Sequence, residues 1–212
     1  FNNQIYGLTK GQFSPTSEPG KITKSSPVGV ADLPFNPLAL SLGANGTFIA
    51  RTLDRDPKHQ QDIYKRAYKH KGTSLVEIYQ NCNVFNDGTF EVFTEKSSKP
   101  DHTLFLEHGK PMVFANGTKG IKLNGMQPEV VDINDNNVDQ LWVHDETDNV
   151  KAYILSRFSD FENMPRPFGV FYMCDKPTFD DALNMQITSR KLEDKKSAFN
   201  QLLVSKNSWR VE

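Results

Sequence analysis

The sequence lacks three features that would assign it to a class at once: a long apolar run, a large excess of one charge, and a set of closely spaced cysteines. A helix needs about 20 mainly apolar residues to cross a bilayer, and no stretch approaches that length. The chain has 25 basic and 26 acidic residues, without the strong positive charge that favours nucleic-acid binding. We therefore expect a globular protein that binds no membrane and no nucleic acid.

Cysteine is scarce as well. Cys82 and Cys174 have no Cys-x-x-Cys spacing, and two cysteines in 212 residues do not form the disulfide framework of a small secreted domain. This scarcity favours a reducing, cytoplasmic setting. The chain opens on Phe1 without an initiator methionine or a secretory leader, which favours a fragment or a processed chain.

The first 90 residues carry the pattern of an α/β fold. An apolar, β-branched run at 47–53 (TFIARTL) precedes a helix that Asp56 caps, Pro57 opens and Gly72 ends. A second apolar run, SLVEIY, follows at 74–79. A strand, a helix of about four turns and a strand form a βαβ unit, whose right-handed crossover requires parallel strands. We therefore predict a parallel sheet in this segment.

The region between Tyr6 and Phe35 has almost no periodic apolar pattern. A structureless connection of about 30 residues is uncommon in a compact domain and is usually functional when it is ordered. If residues 1–5 end a strand parallel to 74–79, the loops at 6–16 and 80–86 leave the sheet at one edge. Ligands of open α/β sheets bind at that edge, so these loops are the first candidates for a functional site.

The second half has a different pattern, with short strand candidates separated by turn signals such as Asn124-Gly125. The candidates lie at 103–107, 112–115, 120–123, 129–133, 141–144 and 151–155. Residues 178 to about 205 read as mostly helical. We therefore expect an α/β segment at 1–90 and a β-rich extension at 91–212 that ends in a helix.

Other polar clusters give weaker signals. Residues 132–137 mimic the start of a calcium-binding loop, but Asn137 replaces the required glycine and Val143 cannot bind at the twelfth position, which favours an Asx-rich turn. The five histidines lack metal-ligand spacing, so we expect solvated or capping roles. The charged residues at 51–56 are expected to form an exposed turn.

The opening residues carry the most specific signal. The run from Asn2 to Thr16 (NNQIYGLTKGQFSPT) closely resembles the second half of the thiamine-diphosphate motif in β subunits of 2-oxoacid:ferredoxin oxidoreductases. GKITK at 20–24, VEIYQNC at 76–82 and FND at 85–87 continue the match. The resemblance is strong over 1–90. It is looser over 91–212, where the layout is similar to the carboxyl-terminal extension of bacterial 2-oxoglutarate:ferredoxin oxidoreductase β subunits.

The resemblance implies a cofactor site in the opening loop. Asn3 would offer its side-chain oxygen, and Ile5 its backbone carbonyl, to a Mg²⁺ ion that bridges the diphosphate. Such oxygen ligands suit Mg²⁺. Gly7, Leu8 and Thr9 would bring backbone N–H groups and a hydroxyl near the diphosphate. The alternative is that these residues only end a strand and form turns.

Two further residues acquire roles from the resemblance. Lys10 would lie near the reacting end of the cofactor, where its ammonium could pair with the distal carboxylate of 2-oxoglutarate. Cys82 matches the fourth ligand of the [4Fe-4S] cluster in members that carry one, and the other three thiolates would come from outside this sequence. The alternatives are a solvated lysine and a small buried thiol. Cys174 is expected to be structural, and no side chain is assigned a catalytic role.

The resemblance implies an oxidoreductase that uses thiamine diphosphate, Mg²⁺ and an iron–sulfur cluster. It would oxidatively decarboxylate a 2-oxoacid, with 2-oxoglutarate favoured, to its acyl-CoA and pass electrons to ferredoxin. An α subunit and coenzyme A would be partners in an oligomer. The Gly-Asp-Gly half of the motif is not in this sequence, so we expect the chain alone to bind the cofactor weakly or not at all. Two alternatives stay open: a non-catalytic subunit-interaction module, or the same chemistry on pyruvate or a branched 2-oxoacid.

Overall fold

The structure is a computed structural model that describes residues 1–190, 194–204, 209 and 211. The chain divides into two compact units, Phe1–Lys176 and Pro177–Glu212. The helices of the first unit are α1 (Pro37–Gly43), α2 (Pro57–Lys69), α3 (Glu91–Thr94), α4 (Lys99–His102) and α5 (Asn149–Ser156). Its strands are β1 (Phe48–Leu53), β2 (Ser74–Tyr79), β3 (Thr103–Phe105), β4 (Val113–Phe114), β5 (Lys119–Asn124), β6 (Gln127–Asp132) and β7 (Arg166–Met173).

The predicted βαβ unit is confirmed. β1 and β2 are parallel and in register along their whole length, and α2 connects them. Asp56 caps α2 by accepting a hydrogen bond from the His59 N–H at 3.2 Å, and Pro57 opens its first turn. Ile63 on the inner face of α2 packs against β1. The sequence pattern thus predicts the type and order of these elements correctly.

The main sheet is mixed, with strand order β2-β1-β7-β3. β7 is antiparallel to β1, and β3 is parallel to β7. The α/β class is therefore confirmed, and the parallel arrangement holds for β1 and β2. β7, which is almost entirely buried, is not predicted from the sequence. The predicted division between 1–90 and 91–212 stays a prediction.

The two faces of β1 enter different parts of the core, because successive side chains of a strand point to opposite faces. Phe48 and Ala50 pack with Ile63 under α2. On the other face, Ile49 belongs to the large apolar cluster that includes α1 and α5, and Leu53 packs with the aromatic cluster around Tyr79. Arg51 lies between those two clusters.

The extension contains a second sheet, β4-β5-β6, in which neighbouring strands are antiparallel. β5 and β6 form a hairpin with Gly125 at φ 62°, as the Asn124-Gly125 signal predicts. The Asx-rich turn is also confirmed, because Asn137 Oδ1 accepts from the Asn134 N–H at 2.9 Å and Asn137 Nδ2 donates to the Asp132 carbonyl at 2.8 Å.

Two of the strand predictions are wrong. Residues 151–155 lie in α5, which Asp148 caps by accepting from the Lys151 N–H at 3.0 Å. Ala152 and Leu155 are buried at helical spacing, which a short apolar run does not distinguish from a strand. Residues 141–144 are not a strand, although Val143 makes one bridge to Pro111.

The second unit contains α6 (Phe179–Ser189) and α7 (Lys195–Leu203). Thr178 and Asp181 form a capping box at the start of α6. The helical prediction for 178–205 is confirmed for these two helices, while 191–193 and 205 lie outside the described residues. No helix in the described part of the chain combines the length and apolar composition that a membrane-spanning segment needs.

Candidate functional site

Strand pairing places the opening residues at the carboxyl edge of the parallel strands. Asn2 pairs in parallel with Tyr79, and the Gln80 N–H donates to the Asn2 carbonyl oxygen at 3.1 Å. The loops that follow these strands therefore leave the sheet at the same edge, as the topology predicts. Asn86 joins them there, because its Nδ2 donates to the Asn3 carbonyl oxygen at 2.8 Å.

The Asn2 side chain fixes the backbone at the start of the loop. Its Nδ2 donates to Glu77 Oε1 at 2.8 Å, and its Oδ1 accepts from the Gln4 N–H at 3.0 Å and the Thr16 hydroxyl at 2.7 Å. The Ser17 hydroxyl donates to the Gln4 carbonyl at 2.7 Å. These bonds hold Gln4 at φ 52°, a left-handed conformation that is uncommon outside glycine. The chain turns sharply there from strand to loop.

Two oxygen atoms in this segment stay without a hydrogen bond. Asn3 Nδ2 donates to the Gln80 carbonyl oxygen at 2.9 Å and to Gln80 Oε1 at 3.3 Å, which fixes the orientation of the amide. Within the described residues, neither Asn3 Oδ1 nor the Ile5 carbonyl oxygen accepts a hydrogen bond, although Ile5 is only 6% exposed. Buried carbonyl groups nearly always have a partner. Both oxygens are hard ligands of the kind Mg²⁺ prefers, so these residues fit the ion.

Residues 6–12 form a closed loop rich in free N–H groups. The Tyr6 N–H donates to the Gln12 carbonyl at 2.8 Å, which closes the loop. The N–H groups of Gly7, Leu8 and Thr9 donate no hydrogen bond to any described residue, and Leu8 is 99% exposed. Successive free N–H groups in a turn form a concavity that binds anions. The loop can therefore supply donors to a diphosphate.

Lys10 lies in a surface hollow that the loop after β2 shares. The hollow has a volume of about 500 Å³, and its lining includes Lys10, Lys24 and Phe85. The Phe85 ring packs so closely on Gly11 that a Cβ there would approach it to 3.1 Å. Within the described part of the chain, the Lys10 ammonium forms no ion pair. The hollow can accept a negatively charged group, while the role of Lys10 stays a prediction.

Asp54 and Asn81 shape the loop that carries Cys82. Asp54 Oδ2 accepts from the Asn81 N–H at 2.9 Å, and Asn81 Oδ1 accepts from the Gly88 N–H at 3.0 Å. The Asn86 N–H donates to the Cys82 carbonyl oxygen at 2.9 Å. The loop is thus a hydrogen-bonded turn in which the half-buried Cys82 thiol is held near the carboxyl edge of the sheet.

A four-thiolate cluster does not fit within this chain alone. Cys82 follows β2, whereas the Cys174 N–H donates to the Thr47 carbonyl at 3.0 Å, beside the amino end of β1. A strand advances about 3.3 Å per residue, so the two thiols lie near opposite ends of the sheet. No group of three or more His, Cys, Asp or Glu in the described ranges could hold a metal ion. The part of Cys82 in a cluster stays a prediction.

The prediction of an exposed turn is wrong for Arg51, which is 3% exposed. Its Nε donates to Glu77 Oε2 at 2.7 Å, across the pairing of β1 with β2. Burial alone would lower the pKa of Arg51, but Tyr79 and Glu77 raise it above its usual value. Arg51, Tyr79 and Arg166 line a cavity of about 700 Å³ on this face of the sheet. Arg166 Nη1 donates to the Tyr79 hydroxyl at 3.2 Å.

The expectation of solvated or capping histidines is also wrong for His144. Its side chain is buried, and its Nε2 lies 2.8 Å from the Val170 carbonyl oxygen, so this nitrogen carries the proton and donates. Burial lowers the pKa of His144. The ring is therefore a neutral part of the core beneath β7.

Comparisons with known proteins show which chains this one is similar to. Residues 1–78 match the family described as thiamine pyrophosphate enzyme, C-terminal TPP binding domain. The chain is 41% identical over 217 positions to the 2-oxoglutarate oxidoreductase subunit KorB of Mycobacterium tuberculosis, with 100% of this chain and 58% of that protein covered. It is 43% identical over 101 residues to the 2-oxoacid:ferredoxin oxidoreductase subunit beta of Saccharolobus solfataricus, covering 47% of this chain and 33% of that one.

A solved structure is also similar. The chain superposes on a 2-oxoglutarate:ferredoxin oxidoreductase from Magnetococcus marinus, determined with 2-oxoglutarate, coenzyme A and succinyl-CoA bound. The TM-score is 0.63 at 25% identity, covering 96% of this chain and 56% of that one.

The α/β fold and the match over residues 1–78 make this part of the chain similar to the C-terminal TPP binding domain of thiamine pyrophosphate enzymes. More particularly, the chain is homologous to the β subunits of 2-oxoacid:ferredoxin oxidoreductases, which confirms the resemblance carried by the opening residues. It spans 58% of the Mycobacterium relative and 56% of the Magnetococcus chain.

Two residues that orient the site are not predicted from the sequence. Gln80 fixes the Asn3 amide, and Asn86 bonds the Asn3 carbonyl. Both follow β2, in the loop predicted to meet the opening loop. The topology predicts that the two loops lie close together. It does not predict which side chains form hydrogen bonds between them.

Proposed function

We propose that this chain is part of the β subunit of a 2-oxoacid:ferredoxin oxidoreductase. The enzyme decarboxylates a 2-oxoacid oxidatively, forms its acyl-CoA and passes electrons to ferredoxin. 2-Oxoglutarate is the favoured substrate, because the similar Magnetococcus enzyme has it bound and the Mycobacterium relative is named for it. The enzyme works in the cytoplasm with an α subunit, as an oligomer.

One observation supports the cofactor part of the proposal most directly. The backbone carbonyls of residues 2, 3, 4 and 6 all accept hydrogen bonds, whereas Asn3 Oδ1 and the Ile5 carbonyl have no partner among the described residues. These are the two oxygens that the family resemblance assigns to Mg²⁺. A ligand oxygen must keep a lone pair available for the ion, so the lack of a hydrogen bond at these two oxygens is what Mg²⁺ binding requires.

The chain's own residues hold and orient the cofactor in this proposal. Asn3 and Ile5 provide oxygen ligands to Mg²⁺, while the N–H groups of residues 7–9 donate to the diphosphate. The bound cofactor supplies the carbanion chemistry of decarboxylation. Lys10 contributes a positive charge that attracts the distal carboxylate of a dicarboxylic 2-oxoacid. Cys82 provides one thiolate to an iron–sulfur cluster whose other ligands lie outside this sequence.

The second candidate function is a subunit-interaction module without cofactor binding. The observation in its favour is the set of exposed apolar side chains on the second unit. Phe179, Ile187, Leu202 and Trp209 are each more than half exposed. Large apolar side chains that are exposed in this way could be covered by another subunit. Contact with another subunit is compatible with cofactor binding, but it does not depend on cofactor binding.

Calorimetry of thiamine diphosphate with Mg²⁺ on the complete enzyme tests the proposal. Asn3→Ala should weaken cofactor binding by at least about tenfold, because even residues behind a metal ligand change affinity by 10- to 100-fold. Asn184→Ala, an exposed asparagine on α6, is the control and should leave binding unchanged. The absence of saturable heat with the unaltered enzyme would refute cofactor binding and favour the interaction module.

A further inference from the structure

The loop after β2 contains a buried amide that contacts the proposed metal-binding segment. Asn86 is 3% exposed, and its Nδ2 donates to the Asn3 carbonyl oxygen at 2.8 Å. Its Oδ1 accepts a hydrogen bond from Lys21 Nζ. Its backbone N–H donates to the Cys82 carbonyl at 2.9 Å. A single residue therefore joins three segments that are far apart in the sequence.

The orientation of the Asn86 amide follows from its partners. The Asn3 carbonyl can only accept, and the Lys21 ammonium can only donate, so Nδ2 faces Asn3 and Oδ1 faces Lys21. Both ends of the side chain are thus used. A buried amide with both ends bonded has one orientation, which makes it a rigid spacer between the loops.

Asn3 is held from two sides by residues of the same loop. Gln80 accepts from the Asn3 side chain, while Asn86 donates to the Asn3 backbone. The first contact sets the direction of the amide, and the second sets the position of the backbone that carries it. Together they leave Asn3 Oδ1 as the free group. Partners behind a ligand commonly determine its geometry in metal sites.

We propose that Asn86 is a positioning residue for the Mg²⁺–diphosphate site, acting through the Asn3 carbonyl. This inference rests on the proposed function, because it assumes that Asn3 is a ligand. Asn86 itself does not touch the ion. Its side chain fixes the distance between the opening loop and the loop of Cys82, so its loss lets Asn3 move away from the geometry that the ion requires.

The test compares Asn86→Asp with Asn86→Ala in the complete enzyme. Aspartate keeps the shape and can still accept from Lys21, but it cannot donate to the Asn3 carbonyl. Its negative charge would by itself favour a nearby cation. The carboxylate can also repel the diphosphate, so a loss of Mg²⁺-dependent cofactor affinity reports the missing hydrogen bond when the uncharged variant Asn86→Ala shows it as well. We expect both variants to bind thiamine diphosphate with Mg²⁺ roughly 10- to 100-fold more weakly.

Asn83→Ala is the matched control, because Asn83 is an exposed asparagine in the same loop with no contact to Asn3. Calorimetry over a range of Mg²⁺ concentrations is the main measurement, and thermal unfolding without cofactor is the second. A purely structural role would lower the unfolding temperature and leave the affinity of the folded enzyme unchanged. That result, or unaltered affinity in Asn86→Asp, would overturn the inference. If the unaltered enzyme binds no cofactor, the proposed function fails instead.

Discussion

Glu77→Gln should destabilise the protein strongly, because it leaves the Arg51 charge buried without a counter-charge. Both residues are nearly inaccessible, and their side chains lie 2.7 Å apart. A glutamine side chain has the same shape, but it has only one oxygen. If that oxygen accepts from Asn2, the glutamine NH₂ group faces the Arg51 Nε–H, and two donors meet without an acceptor. Breaking a buried pair by removing one partner costs about 3–5 kcal/mol. For a domain of this size, that corresponds to roughly 6–20 °C in the unfolding temperature.

Thermal and urea unfolding of the complete enzyme measure this loss. The control is Glu95→Gln, which breaks the Arg55–Glu95 pair, whose side chains are 59% and 55% exposed. An exposed pair contributes about 0–1 kcal/mol, so the control should unfold almost as the unaltered enzyme does. The apolar double variant Arg51→Met/Glu77→Leu should recover most of the loss, since it leaves no buried charge. Equal small losses for both single variants would refute the reasoning.

Three further predictions concern the hollow, a histidine and a glycine. Lys10→Ala should lower the ratio of kcat/KM for 2-oxoglutarate to kcat/KM for pyruvate. The control, Lys110→Ala on an exposed turn, should leave this ratio unchanged. An unchanged ratio in Lys10→Ala would contradict the specificity role. Burial lowers the pKa of His144 in the folded protein, so as the pH falls through about 6.5 the unfolded chain binds a proton before the folded chain does, and the free energy of unfolding decreases. His144→Gln removes this titration. The free energy of unfolding in urea should therefore change less between about pH 5 and 7 in the variant. Gly169→Ala should lower the free energy of unfolding in urea by more than about 1 kcal/mol, because φ is 129° at this position and a Cβ would lie 2.9 Å from the Leu106 backbone. A variant with near-native stability would contradict this prediction.

The elements that sequence reasoning predicts correctly carry local signals. Asp56 and Pro57 mark the start of α2, and Thr178 marks the start of α6, where Thr178 Oγ1 accepts from the Asp181 N–H at 3.1 Å. These capping contacts join residues three positions apart. They can therefore be read from the chain without knowledge of its tertiary structure.

The elements it misses depend on distant partners. β7 begins with Arg166-Pro167 and contains Gly169, both of which argue against a strand, yet it pairs with β1 and β3. Gly169 is tolerated because the Leu106 backbone approaches it closely. Arg51 reads as part of a charged turn because its partner, Glu77, lies 26 positions away. Only the register of the parallel strands brings the two together.

In the candidate site as well, some residues are predicted from the sequence and others are not. A motif with known relatives predicts Asn3 and Ile5, since the order of residues in the loop is specific. The residues that orient this loop, Gln80 and Asn86, act through backbone and amide contacts between segments. Both residues lie in stretches that match the family, but the match does not assign them a hydrogen-bond partner, because such partners depend on how the two loops meet.

The buried ion pair and the proposed cofactor site are connected through one amide. Glu77 Oε2 accepts from Arg51, and Glu77 Oε1 accepts from Asn2, the residue before Asn3. Leucine and methionine can fill the volume of the pair, but leucine at position 77 cannot accept from Asn2. In Arg51→Met/Glu77→Leu, stability should therefore return while thiamine diphosphate with Mg²⁺ still binds more weakly than in the unaltered enzyme. That outcome would show that the charged pair serves mainly to position the opening loop, since apolar residues supply stability equally well.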